Sequence, residues 1–224
     1  RSTLVLVSAL LITAALVVLV LGITQANQWG WSSATTWIVF GCSAALHVAF
    51  LGWERGRKEP LVPMSIFRVK TVLGANITGF VLGTILFAMF LLLTLYMQLV
   101  LGMTPMKTGL GYLAVAGTAI LWANVGAMLA NRVGVKPVLL VGMSLLGVGL
   151  LWFTQISVDG SYWTDLFPGF LLIGIGMPFV FVPVTIAAVA GVSHDEAGLA
   201  SGLINTSQQI GGAVGTALLN TVAV

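Results

Sequence analysis

Seven apolar stretches lie nearly end to end in this sequence, and almost every charged residue falls between them. They run Thr3–Thr24, Thr36–Trp53, Val72–Val100, Gly109–Ala130, Pro137–Thr154, Phe167–Gly191 and Leu199–Val224. Each is near the roughly 20 residues a helix needs to cross a hydrocarbon core. In that core every backbone polar group must be satisfied internally, which leaves only helices and closed barrels. Barrel strands would be about half as long and would alternate in polarity. The expected fold is therefore all-α, a polytopic transmembrane helical bundle of about seven spans. Composition points the same way. With 7% charged residues, 58% hydrophobic residues and a mean hydropathy of +1.08, the chain has too little charge to cover a soluble surface. Its 27 glycines fall mainly inside the stretches, where they suit close helix packing in lipid.

Charge sets an expected topology. Alternate connections carry Arg1, Arg55, Arg57, Lys58, Arg68, Lys70, Arg132 and Lys136, while the opposite set carries only Lys107 among basic residues, with Asp159 and Asp165. The excess of Lys and Arg places the first set in the cytoplasm. This accounts for the net charge of +3 without invoking nucleic acid. The connection from Glu54 to Lys70 mixes basic and apolar residues, as an interfacial segment in contact with membrane lipid would. The chain begins at Arg1 rather than Met and ends within apolar sequence, so an internal piece of a larger membrane protein is expected.

Several chemistries lack their parts. No Asp, Glu, Lys or Arg lies in the middle of a stretch, so a proton-coupling carboxylate inside the membrane is not expected here. His47 has no paired acid or serine partner at catalytic spacing and reads as a packed or interfacial residue. One cysteine, Cys42, excludes an internal disulfide, and with two histidines it cannot complete a four-ligand zinc site. No phosphate-binding loop is present. No enzyme, metal or cofactor is expected. Ser193 followed by Glu196 fits a capping box that opens the last helix.

What polar content remains is patterned. In "SGLINTSQQIGGAVGTALLN", Asn205, Gln208 or Gln209, Gly212 and Thr216 recur at spacings of three and four and share a helix face. Gly211 and Gly215 form a G-x-x-x-G pair on a neighbouring stripe suited to helix packing. A second stripe, Asn76, Gly83, Phe87, Leu91, Thr94 and Gln98, mixes amide, aromatic and aliphatic groups. Trp122 and Asn124 add to the candidates. Together these suit the wall of a cavity for an amphipathic organic molecule, although packing between helices explains the same residues singly. Pro178 and Pro183 interrupt "GIGMPFVFVP" and would kink that helix, for gating or only for packing.

Four segments carry a resemblance that covers essentially the whole chain. They are "GWSS", "EPLVPMSIFRVKTVLGANITGF", "LYMQLVLGMTPMKTGLGYL" and "GMPFVFVPVTIAAVAGVSHDEAGLASGLINTSQQIGGAVGTALLNTV". In these the chain resembles the EmrB/QacA-like drug:proton antiporters, the fourteen-helix branch of the major facilitator superfamily. A weaker likeness is to that superfamily's cytoplasmic loop, roughly G-x-L-A-D-R-x-G-R-K, at "AMLANRVGVK". There Leu129, Ala130, Arg132, Gly134 and Lys136 agree, whereas Asn131 replaces the acid and Val135 a basic residue. The change to Asn131 weakens any charge relay and leaves a conformational latch by hydrogen bonding as the implied role.

The resemblance implies that residues 1–71 are two extra central helices with a basic cytoplasmic linker. Residues 72–224 would then be five of the six helices of a C-terminal bundle. It implies a missing N-terminal bundle of the same protein, with the proton-coupling acids in it, and a place in the bacterial inner membrane. The implied activity is proton-coupled efflux of hydrophobic or cationic amphipathic drug-like compounds by alternating access. The alternatives are a dedicated exporter of one metabolite or antibiotic, and a non-transporting scaffold of the same fold.

Overall fold

The computed structural model describes residues 2–56 and 63–222. Arg1, Arg57 and Lys58, which carry part of the charge argument, lie outside the described residues. Eight α-helices follow in order: α1 Ser2–Trp29, α2 Ala34–Arg55, α3 Lys70–Leu95, α4 Pro105–Gly111, α5 Leu113–Val133, α6 Val135–Phe153, α7 Phe167–Ala190 and α8 Ala197–Val222. A π-helical turn, Tyr96–Val100, extends α3, and another, Tyr162–Leu166, opens α7. Among the described residues there is no β-strand.

Six helical segments are long and apolar enough to cross a membrane: Leu6–Ala26, Ala34–Arg55, Lys70–Val100, Pro105–Val133, Val135–Phe153 and Tyr162–Ala190. They coincide with six of the seven apolar stretches. The seventh stretch forms α8, which at 26 residues has the length but is not among the six. Three amides within five residues, Asn205, Gln208 and Gln209, lower its apolar character. A helix of this kind needs neighbours or water for one face. The chain forms two compact units, Arg1–Ala88 with Gly198–Val224, and Met89–Ala197.

In the first unit α1 and α2 form an antiparallel hairpin. Gly30, at φ +90°, makes the turn with a backbone conformation that other residues rarely adopt. Its carbonyl accepts from Ser33 N (3.1 Å) and from the Oγ1 of fully buried Thr36 (2.8 Å). Along the hairpin, Ser43 Oγ donates to Ala15 O at 3.0 Å. Near its open end Ser8 Oγ donates to Glu54 Oε1 at 2.5 Å, and both residues are buried. This corrects the placement of Glu54 in the cytoplasmic connection. Helix α2 continues to Arg55, and Glu54, only 3% exposed, accepts from the hydroxyl that α1 brings to it. Ser8→Ala is expected to lower the stability of the hairpin by about 2 kcal/mol, since it removes a donor from a buried carboxyl acceptor. A drop in thermal unfolding midpoint in detergent checks this, with Thr24→Ala, whose hydroxyl bonds only its own helix, as the control.

The other contact in this unit joins α3 to α8 with almost no side chain between them. A Cβ added to Gly83 would overlap the Gln208 carbonyl. One added to Gly211 would overlap the Phe80 carbonyl, and one added to Gly215 the Thr84 carbonyl. At Gly79 the Ile204 carbonyl would be 3.2 Å away. Small residues four apart on both helices bring the backbones together, and dispersion contacts along the seam then substitute for a hydrophobic driving force that lipid does not supply. At one point the seam is polar: buried Asn76 donates to Val72 O (2.9 Å) and accepts from Ser207 Oγ (2.7 Å).

In the second unit α7 is the central helix, packed against both α5 and α6. Half of its apolar window is buried, the largest share of the six. Pro178 and Pro183 are both buried inside this one continuous helix. Helix α6 buries a single stripe, Val138, Gly142, Leu146, Gly149 and Phe153, and leaves Leu140, Val141, Val148 and Leu151 exposed. That one-sided pattern suits a helix with lipid on its outer face. Gly134, at φ +94°, is the only residue between α5 and α6. A polar network closes the end where both π turns lie. Tyr96 Oη donates to Ser157 O (2.6 Å), and the Asp165 carboxylate accepts from Tyr96 Oη (3.3 Å), Ser157 N (3.2 Å) and Thr164 Oγ1 (2.8 Å). Asp165 thus belongs to the turn that opens α7 rather than to a free connection. At the start of α8, Ser193 N and Oγ donate to Glu196 Oε2 at 3.3 and 2.7 Å, the expected capping box.

Candidate substrate cavity

Helix α8 presents two different faces, and the division follows from its sequence. At 100° per residue, Ile204, Ser207, Gln208, Gly211 and Gly215 fall on one side and meet α3. Asn205, Gln209, Gly212 and Thr216, spaced four, three and four, fall on the adjacent side and line a cavity of about 580 Å³. The sequence left Gln208 and Gln209 as alternatives for this face. The seam against Gly83 takes the backbone of Gln208, and Gln209 lines the cavity.

The remaining walls come from α1 and α3. Phe87 stands at the α3 side with its ring over Gly212, at distances that leave no room for a Cβ there. Leu16, Val17, Val20 and Thr24 of α1 form an apolar wall with one hydroxyl. No residue of the lining is ionisable. The polar groups differ in what they offer. Thr24, Thr206 and Thr216 donate to carbonyls of their own helices, so they present acceptor lone pairs to the cavity. Asn205 and Gln209 are exposed, and neither amide has a hydrogen-bond partner among the described residues. Each keeps two N–H donors and a carbonyl acceptor for a guest or for water.

Other expected site residues are placed elsewhere. Asn76 does not line the cavity, because both ends of its amide are used within the α3–α8 seam. Thr94, Gln98, Trp122 and Asn124 belong to the second unit and are not part of this lining. Thr94 Oγ1 bonds Phe90 O and the Tyr112 hydroxyl (2.7 and 2.8 Å). Trp122 stacks obliquely on Phe179 with centroids 6.0 Å apart, Asn124 is exposed, and Gln98 is half-buried in the π turn. The side chains of Asn131, Arg132 and Lys136 are exposed and make no hydrogen bond among the described residues. The α1 wall was not anticipated. Nothing in Leu16, Val17 and Val20 distinguishes them in sequence from lipid-facing residues.

A polytopic bundle of membrane-length apolar helices with an uncharged, amide-bearing cavity defines an integral membrane protein. The chain belongs to the Major Facilitator Superfamily, whose profile matches residues 1–216. It is similar to the tetracenomycin C resistance and export protein of Streptomyces glaucescens, 32% identical over 216 residues, 95% of this chain and 39% of that one. It is also similar to the cephamycin export protein CmcT of Amycolatopsis lactamdurans, 32% identical over 96% of this chain and 44% of that one. A multidrug resistance protein B homolog of Mycobacterium tuberculosis is 34% identical over 80% of this chain and 33% of its own length. The chain thus spans less than half the length of these relatives. Family and apolar helices make it a multi-pass integral membrane protein of this superfamily.

Proposed function

We propose that the chain is part of a secondary active exporter that moves hydrophobic and amphipathic drug-like molecules out of the cell in exchange for protons. The observation that carries this reading is the unpartnered amide face of α8, Asn205 and Gln209, turned into a cavity of drug-sized volume. The names of the relatives support export as the activity. In this reading residues 1–71 supply the two extra central helices of a fourteen-helix antiporter, and residues 72–224 supply most of its C-terminal bundle. Two bundles would rock about a midplane site to give alternating access. The coupling acids would lie in the rest of the protein, since three of the acids described here are engaged in structure, Glu54 with Ser8, Asp165 with Tyr96 and Glu196 with Ser193, and Asp159 lies exposed in a connection outside the helices.

The test is made with the whole protein in a drug-sensitive bacterial host. Expression should raise resistance to several unrelated amphipathic drugs, and dissipating the proton gradient should abolish their export. Asn205→Leu with Gln209→Leu should change the ranking of drugs carried, weakening the affected ones about tenfold, while protein level in the membrane stays the same. An unchanged spectrum would remove the cavity from the transport path. A second reading, a dedicated exporter of one antibiotic, is favoured by relatives named for tetracenomycin C and cephamycin. Resistance confined to a single compound class would select it.

A further inference from the structure

We propose that α1 forms one wall of a binding site for uncharged amphipathic organic molecules, with Val17, Val20 and Thr24 deciding which of them fit. This rests on the export reading only for the purpose of the site, since the geometry stands by itself. Val17, Val20 and Thr24 recur at spacings of three and four, so they share one face of α1, and all three line the cavity opposite α8. The hairpin fixes that face. The buried bonds from Ser43 to Ala15 O and from Ser8 to Glu54 hold the opposite side of α1 against α2.

The lining chemistry selects the guest. A flat apolar ring has Phe87 on one side and the valines on the other. Oxygen and nitrogen substituents on that ring meet the free amides of Asn205 and Gln209 and the acceptor lone pairs of Thr24. A cation would leave water and find no carboxylate in the lining. One phenylalanine face attracts a cation but does not replace its hydration. The volume of about 580 Å³ lies within the range of small-molecule sites. The guest is therefore neutral, aromatic and rich in hydrogen-bonding groups rather than a quaternary amine.

Cysteine labelling of the whole protein in membrane vesicles tests this without relying on export. After Cys42→Ala, single cysteines are placed at Val17, Val20 and Thr24. Controls go at Leu140 and Val148, which are exposed on the outer face of α6 and do not line the cavity. A water-soluble methanethiosulfonate reacts with the thiolate, which exists in water and not in lipid. The three cavity positions should react on the order of tenfold faster than the controls. Nile red, a neutral aromatic amphipath, should slow them, and the cation ethidium should not. Equal rates at all five positions would overturn the wall, as would an acyl chain or another helix of the protein seated there and blocking all three. Fast labelling without protection by Nile red would overturn the site, and equal protection by ethidium would overturn the choice of an uncharged guest. Protected labelling in a protein that confers no resistance would leave the site standing and dismiss the export reading.

Discussion

Gly83→Leu is expected to keep the first unit from assembling, and Gly215→Leu to do nearly the same. In each case the new side chain would start inside a backbone carbonyl of the partner helix, Gln208 or Thr84. A flexible side chain can step aside from such an overlap, but a helix backbone cannot. The two helices would have to separate along the whole seam, losing the contacts at Gly79, Gly83, Gly211 and Gly215 together. The cost should be about 3 kcal/mol or more, at the upper end for overpacking. Gly202→Leu is the control, because nothing lies within 4 Å of a Cβ at Gly202 although it is in the same helix. Size-exclusion chromatography of fluorescently tagged protein should show a folded peak for Gly202→Leu and aggregate for the other two. A monodisperse Gly83→Leu protein with an unchanged melting point would disprove the close α3–α8 packing.

The α3–α8 seam also shows how far such a sequence can be read unaided. Apolar length alone located the helices, because in lipid no other local structure satisfies the backbone. The glycine pair at Gly211 and Gly215 was legible because its i, i+4 spacing means the same thing in any helix. Its partners Gly79 and Gly83 were not, since which helices meet is a tertiary fact. The choice between Gln208 and Gln209 illustrates the limit. Both lie about one helical turn from Asn205 and from Gly212, and only the position of α3 assigns one to the seam and the other to the cavity. Glu54 was misplaced for a different reason. It adjoins a run of charges that reads as a connection, and the hydroxyl it meets when buried comes from Ser8, 46 positions away. The α1 wall left no trace at all, because an apolar residue facing a cavity and one facing lipid are chosen by the same transfer energy.

Asp165 gives the second large effect, and its two substitutions should separate structure from coupling. The carboxylate accepts from Tyr96 Oη, Ser157 N and Thr164 Oγ1, and its backbone carbonyl accepts from Trp152 Nε1 at 3.0 Å. It therefore ties the π turn at the end of α3 to the connection between α6 and α7 and to the π turn that opens α7. Asp165→Leu removes both acceptor oxygens, and with them three hydrogen bonds, and leaves the Ser157 N–H without its carboxylate. The loss should be visible as a lower unfolding midpoint of the purified protein. Asp165→Asn keeps an oxygen acceptor in the same shape and should lower the midpoint much less. The amide cannot carry a proton, so it also asks whether this acid moves protons. The geometry answers that it does not, because a carboxylate engaged by three donors serves as a tie and gains little from releasing them to take up a proton. On the proposed export activity, proton-driven export by the whole protein in everted vesicles should therefore persist in Asp165→Asn, as in Asp159→Asn and Glu196→Gln. An Asp165→Asn protein that is folded and binds drug, yet no longer couples export to the proton gradient, would move the coupling site into this half of the transporter.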